Sequence, residues 1–327
     1  MNKTVVAMSL ALIFSGQALA ETEQEAENQS TLVRLENEAS KAELLTATNA
    51  PAKEEGRLHG TLGTNIEVER VIRDDGVNEG KLKYTLAQGS FRHDDLPGWD
   101  FGFYSAREEL FNGNLKHADY DRGVNSIQEI WANRSYGQAW GSVGWGVKLA
   151  GESIDKRTTP EVKVFGNYNI TDRLDIHGYA MYHVEYNRGS SEFPYWEIEP
   201  GFGYKIADNM GAWLNFRYQE GTLKPKSGDN FVETETIIKP GIWYSWGDLS
   251  ASLWGEFGKF EKENDQTGAH EWSEDYWKLG ISANYALNSS WRVFGEVSYK
   301  DIKFEDNSNS EFDGYIPLFI AGINYSF

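Results

Sequence analysis

The side chains best able to do chemistry are carboxylates and histidines that recur at every second position. Glu197/Glu199 and Glu233/Glu235 are i, i+2 pairs. On an extended segment such a pair shares one face, ~6.5–7 Å apart. That spacing overlaps the one used in inverting glycoside hydrolysis. Hydrolytic carboxylates, however, face each other across a substrate instead of standing side by side on one strand. His177 and His183 share a face with Asp175 and Glu185. The stretch between the two imidazoles spans ~20 Å on a strand, too far for a shared metal. A Ser-His-Asn hydrolase working on lipid would carry its residues on the opposite, apolar face. With no cysteine in the chain, thiol catalysis, disulfides and Cys-based zinc sites are also excluded. The pattern predicts solvated charge and no cofactor.

These residues need strands to position them. From Arg57 onward Leu58, Leu62, Ile66, Val68 and Ile72 lie on one face, with His59, Thr61, Asn65, Glu67 and Glu69 on the other, the period of two that marks a strand. The alternation recurs near 81–92, 99–111, 124–135, 138–150, 160–170, 173–187, 195–206, 211–221, 232–246, 249–261, 273–286, 291–304 and 313–327, making fourteen strands. Tight connections such as Thr171-Asp172 and Gly247-Asp248 alternate with longer polar ones, namely Asn112 to Arg122, Thr222 to Asn230, Glu261 to Trp272 and Glu305 to Phe312. Short turns at one rim and longer loops at the other are the habit of transmembrane β-barrels.

One series of faces is apolar with aromatics at both ends, as in Trp196, Ile198, Pro200, Phe202, Tyr204 and Ile206, or Trp277, Leu279, Ile281, Ala283 and Tyr285. Trp99, Tyr244, Trp246, Trp291, Tyr325 and Phe327 are expected in the girdle at the short-turn rim. The other series carries both signs. It includes Glu67, Glu69, Lys81, Lys83, Asp175, His177, His183, Glu185, Glu197, Glu199, Arg217, Glu233, Glu235, Glu256, Lys278, Arg292 and Glu296. Tyr104, Trp140, Phe165, Tyr179, Trp213, Trp254 and Phe294 fall on it too. Those rings either stack on sugar faces or pack against their neighbours, and a one-residue slip would turn them outward. His270 lies in the acidic stretch Glu261 to Trp272, read as a loop that could gate. Its charge changes between about pH 5 and 8, but no second histidine sits on the neighbouring strand end to repel it.

The ends read differently. Lys3, the apolar run Val5 to Phe14 and Ala18-Leu19-Ala20 form a secretory signal over residues 1–20. Residues 21–56 are rich in Glu, Ala and Leu, with Leu32, Leu35, Ala39 and Ala42 at helical spacing. They predict an acidic periplasmic extension, helical or disordered, and a short coiled coil within 30–46 could join several copies. The net charge of -19 makes the chain a poor nucleic-acid binder, and 14% aromatic residues with 33 Gly suit many strands and turns.

The segments WEIEPGFGYKIADN at 196–209 running into RYQEG at 217–221, ITDRLDIHGYAMY at 170–182 and the terminal AGINYSF resemble the outer membrane protein G porins. The resemblance covers roughly Arg57 to Phe327, leaves Glu21 to Gly56 without counterpart and implies a monomeric fourteen-stranded barrel. The expectation is therefore an all-β transmembrane antiparallel barrel over 57–327 with a short helical N-terminal extension. Its lipid-facing wall sits in a Gram-negative outer membrane, and its terminal strand ending at Phe327 addresses the barrel assembly machinery. A barrel this wide holds water, so passive diffusion of small hydrophilic solutes follows, oligosaccharides among them, with a mild cation preference from the acidic excess. A barrel enzyme of lipase or protease type, or a barrel plugged by the extension, are the competing readings.

Overall fold

Period-two alternation is realised as fourteen antiparallel strands: β1 (Leu58–Arg73), β2 (Asn78–His93), β3 (Trp99–Phe111), β4 (Val124–Gln138), β5 (Gly141–Glu152), β6 (Arg157–Asn169), β7 (Leu174–Asn187), β8 (Ser191–Ala207), β9 (Met210–Pro225), β10 (Phe231–Trp246), β11 (Leu249–Asn264), β12 (His270–Ala286), β13 (Trp291–Asp306) and β14 (Glu311–Ser326). Each strand pairs with its sequence neighbours and β1 pairs with β14, which closes the barrel. The computed structural model describes residues 56–327 apart from 75, 77, 112–123, 154–155, 188–190 and 308–310. The expected signal, the extension helix and the Asn112–Arg122 loop lie outside the described residues.

Closure is a hydrogen-bonding requirement, because lipid offers no partner to an open strand edge. The seam runs from Thr61↔Ser326 to Arg73↔Gly314. At its end Gly60 and Phe327 exchange backbone hydrogen bonds, each 3.0 Å long. Beside it the Arg57 backbone N–H donates to Asp94 Oδ2 at 2.9 Å and holds that turn carboxyl below the usual aspartate range.

The apolar series face outward, as alternation demands. Phe202, Leu214, Ile242, Leu253, Ile281 and Phe319 are among the exposed large side chains, and exposure here means contact with lipid. Aromatic pairs band both ends. Trp291–Tyr325 (4.8 Å), Tyr325–Phe327 (6.2 Å) and Trp99–Trp145 (5.6 Å) lie at the short-turn rim. Trp196–Tyr218 (5.4 Å), Trp277–Tyr299 (5.6 Å) and Tyr299–Tyr315 (5.7 Å) lie at the other level.

The loops depart from expectation. The stretch read as the Glu261–Trp272 loop is mostly strand, because β11 runs to Asn264 and β12 starts at His270. Likewise β9 runs to Pro225 and β13 to Asp306. A strand of 16 residues, at ~3.3 Å per residue and a tilt of ~40°, stands roughly 40 Å tall against an apolar band of ~25 Å. The excess projects as wall on the loop side. Outward positions there turn polar, as with Lys259, Glu261 and Glu263 or Asp301, Lys303 and Glu305. The alternation that marks a half-buried strand therefore fades while the backbone ladder continues.

Candidate functional site: the lumen wall

Register decides what lines the lumen, and it divides the wall into two zones. In the half nearer the short turns, large aromatics stand opposite glycines. Trp213 and Trp254 both flank Gly241, and Trp254 also pairs with Gly280. A Cβ on Gly241 would collide with Trp213, one on Gly280 with Trp254, one on Gly211 with Trp243, and one on Gly322 with Phe294. Each ring thus lies over the bare backbone of the next strand, which fills the space that glycine leaves and flattens the wall. The free face of Trp254 lies under Lys278 Nζ, 4.9 Å from the ring centroid.

Towards the loop rim the wall is charged, and the two signs are interleaved strand by strand. Glu67 pairs with Lys83 at 3.2 Å and Glu69 with Lys81 at 3.4 Å. Arg217 meets Glu235 at 2.8 Å, with both side chains fully enclosed. Lys239 bridges Glu199 at 3.2 Å and Glu256 at 3.9 Å. Lys262 holds Glu233 at 2.7 Å, and Arg157 spans Glu152 and Glu185 at 2.7 and 3.1 Å. Cross-strand neighbours of opposite sign are the arrangement a sheet favours. The Tyr179 hydroxyl donates to Glu197 at 2.5 Å and Glu199 at 3.3 Å, and the Tyr276 hydroxyl to Glu235 at 2.8 Å. The two glutamate pairs therefore sit within networks of cations and hydroxyls on one wall. Neither is arranged as an acid and base across a gap.

The histidines are held apart. His177 lies 2.7 Å from Asp175 and 3.0 Å from Asn215. His183 is buried, 3.9 Å from both Glu161 and Glu185, with its ring edge-on to Tyr195. Arg292 and Glu296 lie on the lumen face of β13 beside Phe294, opposite Asn324 and Ile320 of β14. Among the described residues no cluster of His, Asp and Glu has the makings of a metal site.

Two placements correct the sequence reading. Trp140 is off the lumen wall: it occupies the β4–β5 turn with its ring 5.8 Å from the outward Tyr168, because the turn shifts its parity. His270 is off the loop: it begins β12, opposite Glu263 across a bulge. The other ring candidates face inward. Tyr104 is buried against Ala106, Ile127 and Trp131, and Tyr179 lies under Lys163 at 4.5 Å. A row that sequence reasoning missed, Phe260, Trp272, Phe304 and Phe312, lies at the loop rim. Its signal was lumen parity continued past the end of visible alternation.

The sequence profile of the OMPG-porin 1 family matches residues 40–327. The chain belongs to that family. The match begins inside the stretch 21–56 that the resemblance left without a counterpart, so the family pattern reaches further upstream than expected. No curated protein matches the chain. Among solved structures, a variant of the TodX monoaromatic hydrocarbon channel is similar with a TM-score of 0.51 at 9% identity, over 84% of this chain and 90% of that one. TodX is described as the toluene transporter of Pseudomonas putida. OmpT, an outer membrane protein of Vibrio cholerae, is similar with a TM-score of 0.41 at 14% identity, over 84% of this chain and 100% of that one. An OMPG-porin is an outer-membrane channel, and its short turns face the periplasm. The charged half of this lumen therefore opens towards the outside.

Proposed function

We propose that the channel passes small hydrophilic solutes by passive diffusion, oligosaccharides among them, with a mild preference for cations and no covalent chemistry. The observation that carries this reading is the charged zone of the lumen. Its carboxylates are interleaved with cations on nearby strands, so the field is local, and acids still outnumber bases on the inward faces of β7, β8 and β10. A surplus of one sign in a narrow aqueous pore enriches the opposite ion. Interleaved pairs keep that enrichment small.

Several finer assignments belong with this reading. Residues 1–20 act as the export signal, 21–56 reside in the periplasm, and the strand ending at Phe327 is the contact for the assembly machinery. One chain suffices as the conducting unit, because every strand finds both neighbours within the chain. Association through 30–46 would multiply pores without altering one. The test is the reversal potential of single channels in a planar bilayer under a KCl gradient. A small potential of cation-selective sign, moving towards zero in Glu256→Gln, supports the proposal; an anion-selective sign refutes it.

A further inference from the structure

The loop-side mouth holds an arrangement that neither diffusion nor barrel stability requires. Phe260, Trp272, Phe304 and Phe312 come from four consecutive strands, with ring centroids 4.5, 5.2 and 4.3 Å apart and interplanar angles of 18, 24 and 19°. Rings lying flat side by side cannot approach so closely, so these overlap with an offset, like tiles. Arg73 crosses Gly314 and ends the row, its guanidinium carbon 3.7 Å from the Phe312 centroid. Phe260 is fully buried, whereas Trp272, Phe304 and Phe312 are half-buried.

These three rings floor an open hollow of about 660 Å³, whose rim is polar: Asp74, Glu271, Asp306 and Glu311. The strands here stand above the apolar band, with outward neighbours such as Asp301, Lys303 and Asp313. Water therefore lies on both sides of the wall, and lipid burial does not account for the row. An apolar strip rimmed by polar groups in such a place marks binding.

We propose that the Trp272–Phe304–Phe312 row with Arg73 is a docking subsite for neutral linear oligosaccharides at the outer mouth. This rests on the channel reading. Sugar rings have an apolar C–H face for the aromatic strip and hydroxyls for the carboxylates and the guanidinium. The pitch of the rings, set by strand spacing of ~4.8 Å, is comparable to one sugar unit, so consecutive units meet consecutive rings. An acidic oligosaccharide would face four carboxylates against one arginine. A pure hydrocarbon would strip water from those carboxylates without replacing it. A compact organic cation needs a cage, and this is a strip.

The test uses single channels of the mature protein, with maltohexaose, an oligogalacturonate of equal length and tetraethylammonium added to either side. Maltohexaose on the loop side should interrupt the current. Trp272→Leu and Phe304→Leu, which keep apolar bulk and lose the ring, should each shorten the interruptions about fivefold to tenfold, the worth of one aromatic contact. Heat-modified gel migration of both variants confirms that they are folded. Channels that conduct but are not interrupted, variants that block like the parent, or equal blockade by either charged probe would overturn the proposal while leaving the channel intact. If the protein does not conduct, the channel reading fails on its own. Calorimetric titration of maltohexaose into the protein in micelles then decides the subsite: heat lost in Trp272→Leu supports it, and no heat in the parent overturns it.

Discussion

The enclosed Arg217–Glu235 pair shows what a single residue contributes to this wall. Both side chains are fully covered and 2.8 Å apart, and Tyr276 supplies a second donor to Glu235 at 2.8 Å. Removing the guanidinium alone takes the charged partner from a covered carboxylate, and broken buried pairs of this kind cost several kcal/mol. Arg217→Met should therefore destabilise the barrel by about 3 kcal/mol, read as a lower midpoint of denaturant unfolding in lipid vesicles. Arg217→Met combined with Glu235→Leu should recover part of that loss, since the Glu235 charge goes with its partner while Glu197 and Glu199, which Arg217 also faces, stay on the wall. A single variant as stable as the parent would show that lumen water already screens the pair. The sequence placed both residues on the inward face but said nothing of their partnership. Cross-strand contacts depend on register, and register is fixed by the hydrogen-bonded ladder.

At the scale of strands, the match of tryptophan with glycine is the element that shapes the bore. Trp254 lies over Gly280, and a β-branched side chain there has no room while the ring stays on the wall. Gly280→Val should push the indole into the lumen, cost about 1–3 kcal/mol as overpacking does and lower the single-channel conductance. Adding Trp254→Ala should restore conductance; a Gly280→Val channel that conducts like the parent would show that the ring moves aside instead of inward. The strands themselves were legible wherever one face meets lipid and the other water, as along Trp196 to Ile206. They were illegible where water lies on both sides. Past Glu261 the outward Glu263 of β11 and the first residues of β12 read as loop, and this concealed His270 as a strand residue and Trp272 as a lumen ring. Trp140 failed for a different reason: parity counted through a tight turn does not survive it.

The whole molecule is closed by residues 58–326 alone, and that bears on what the upstream stretch can do. Every strand has two neighbours, and both partners of the closing seam lie downstream of Arg57. The Gly60–Phe327 exchange completes the ladder at the periplasmic rim. Among the described residues no strand edge is left open, so closure of the barrel does not call for residues 21–56. The family match nonetheless starts at residue 40, so part of that stretch belongs to the family pattern. A variant joining residues 1–20 directly to Arg57 should reach the outer membrane, keep its heat-modifiable migration and conduct with the parent's amplitude in a planar bilayer. A larger conductance in the shortened protein would place the removed residues inside the pore and recast them as a plug. Loss of the folded band would mean that closure of the seam is assisted by residues upstream of it. Equal conductance, with sparser clusters of simultaneous openings, would assign 30–46 to association between barrels. That last pattern separates assembly from permeation, because one barrel already holds every wall residue that the solute meets.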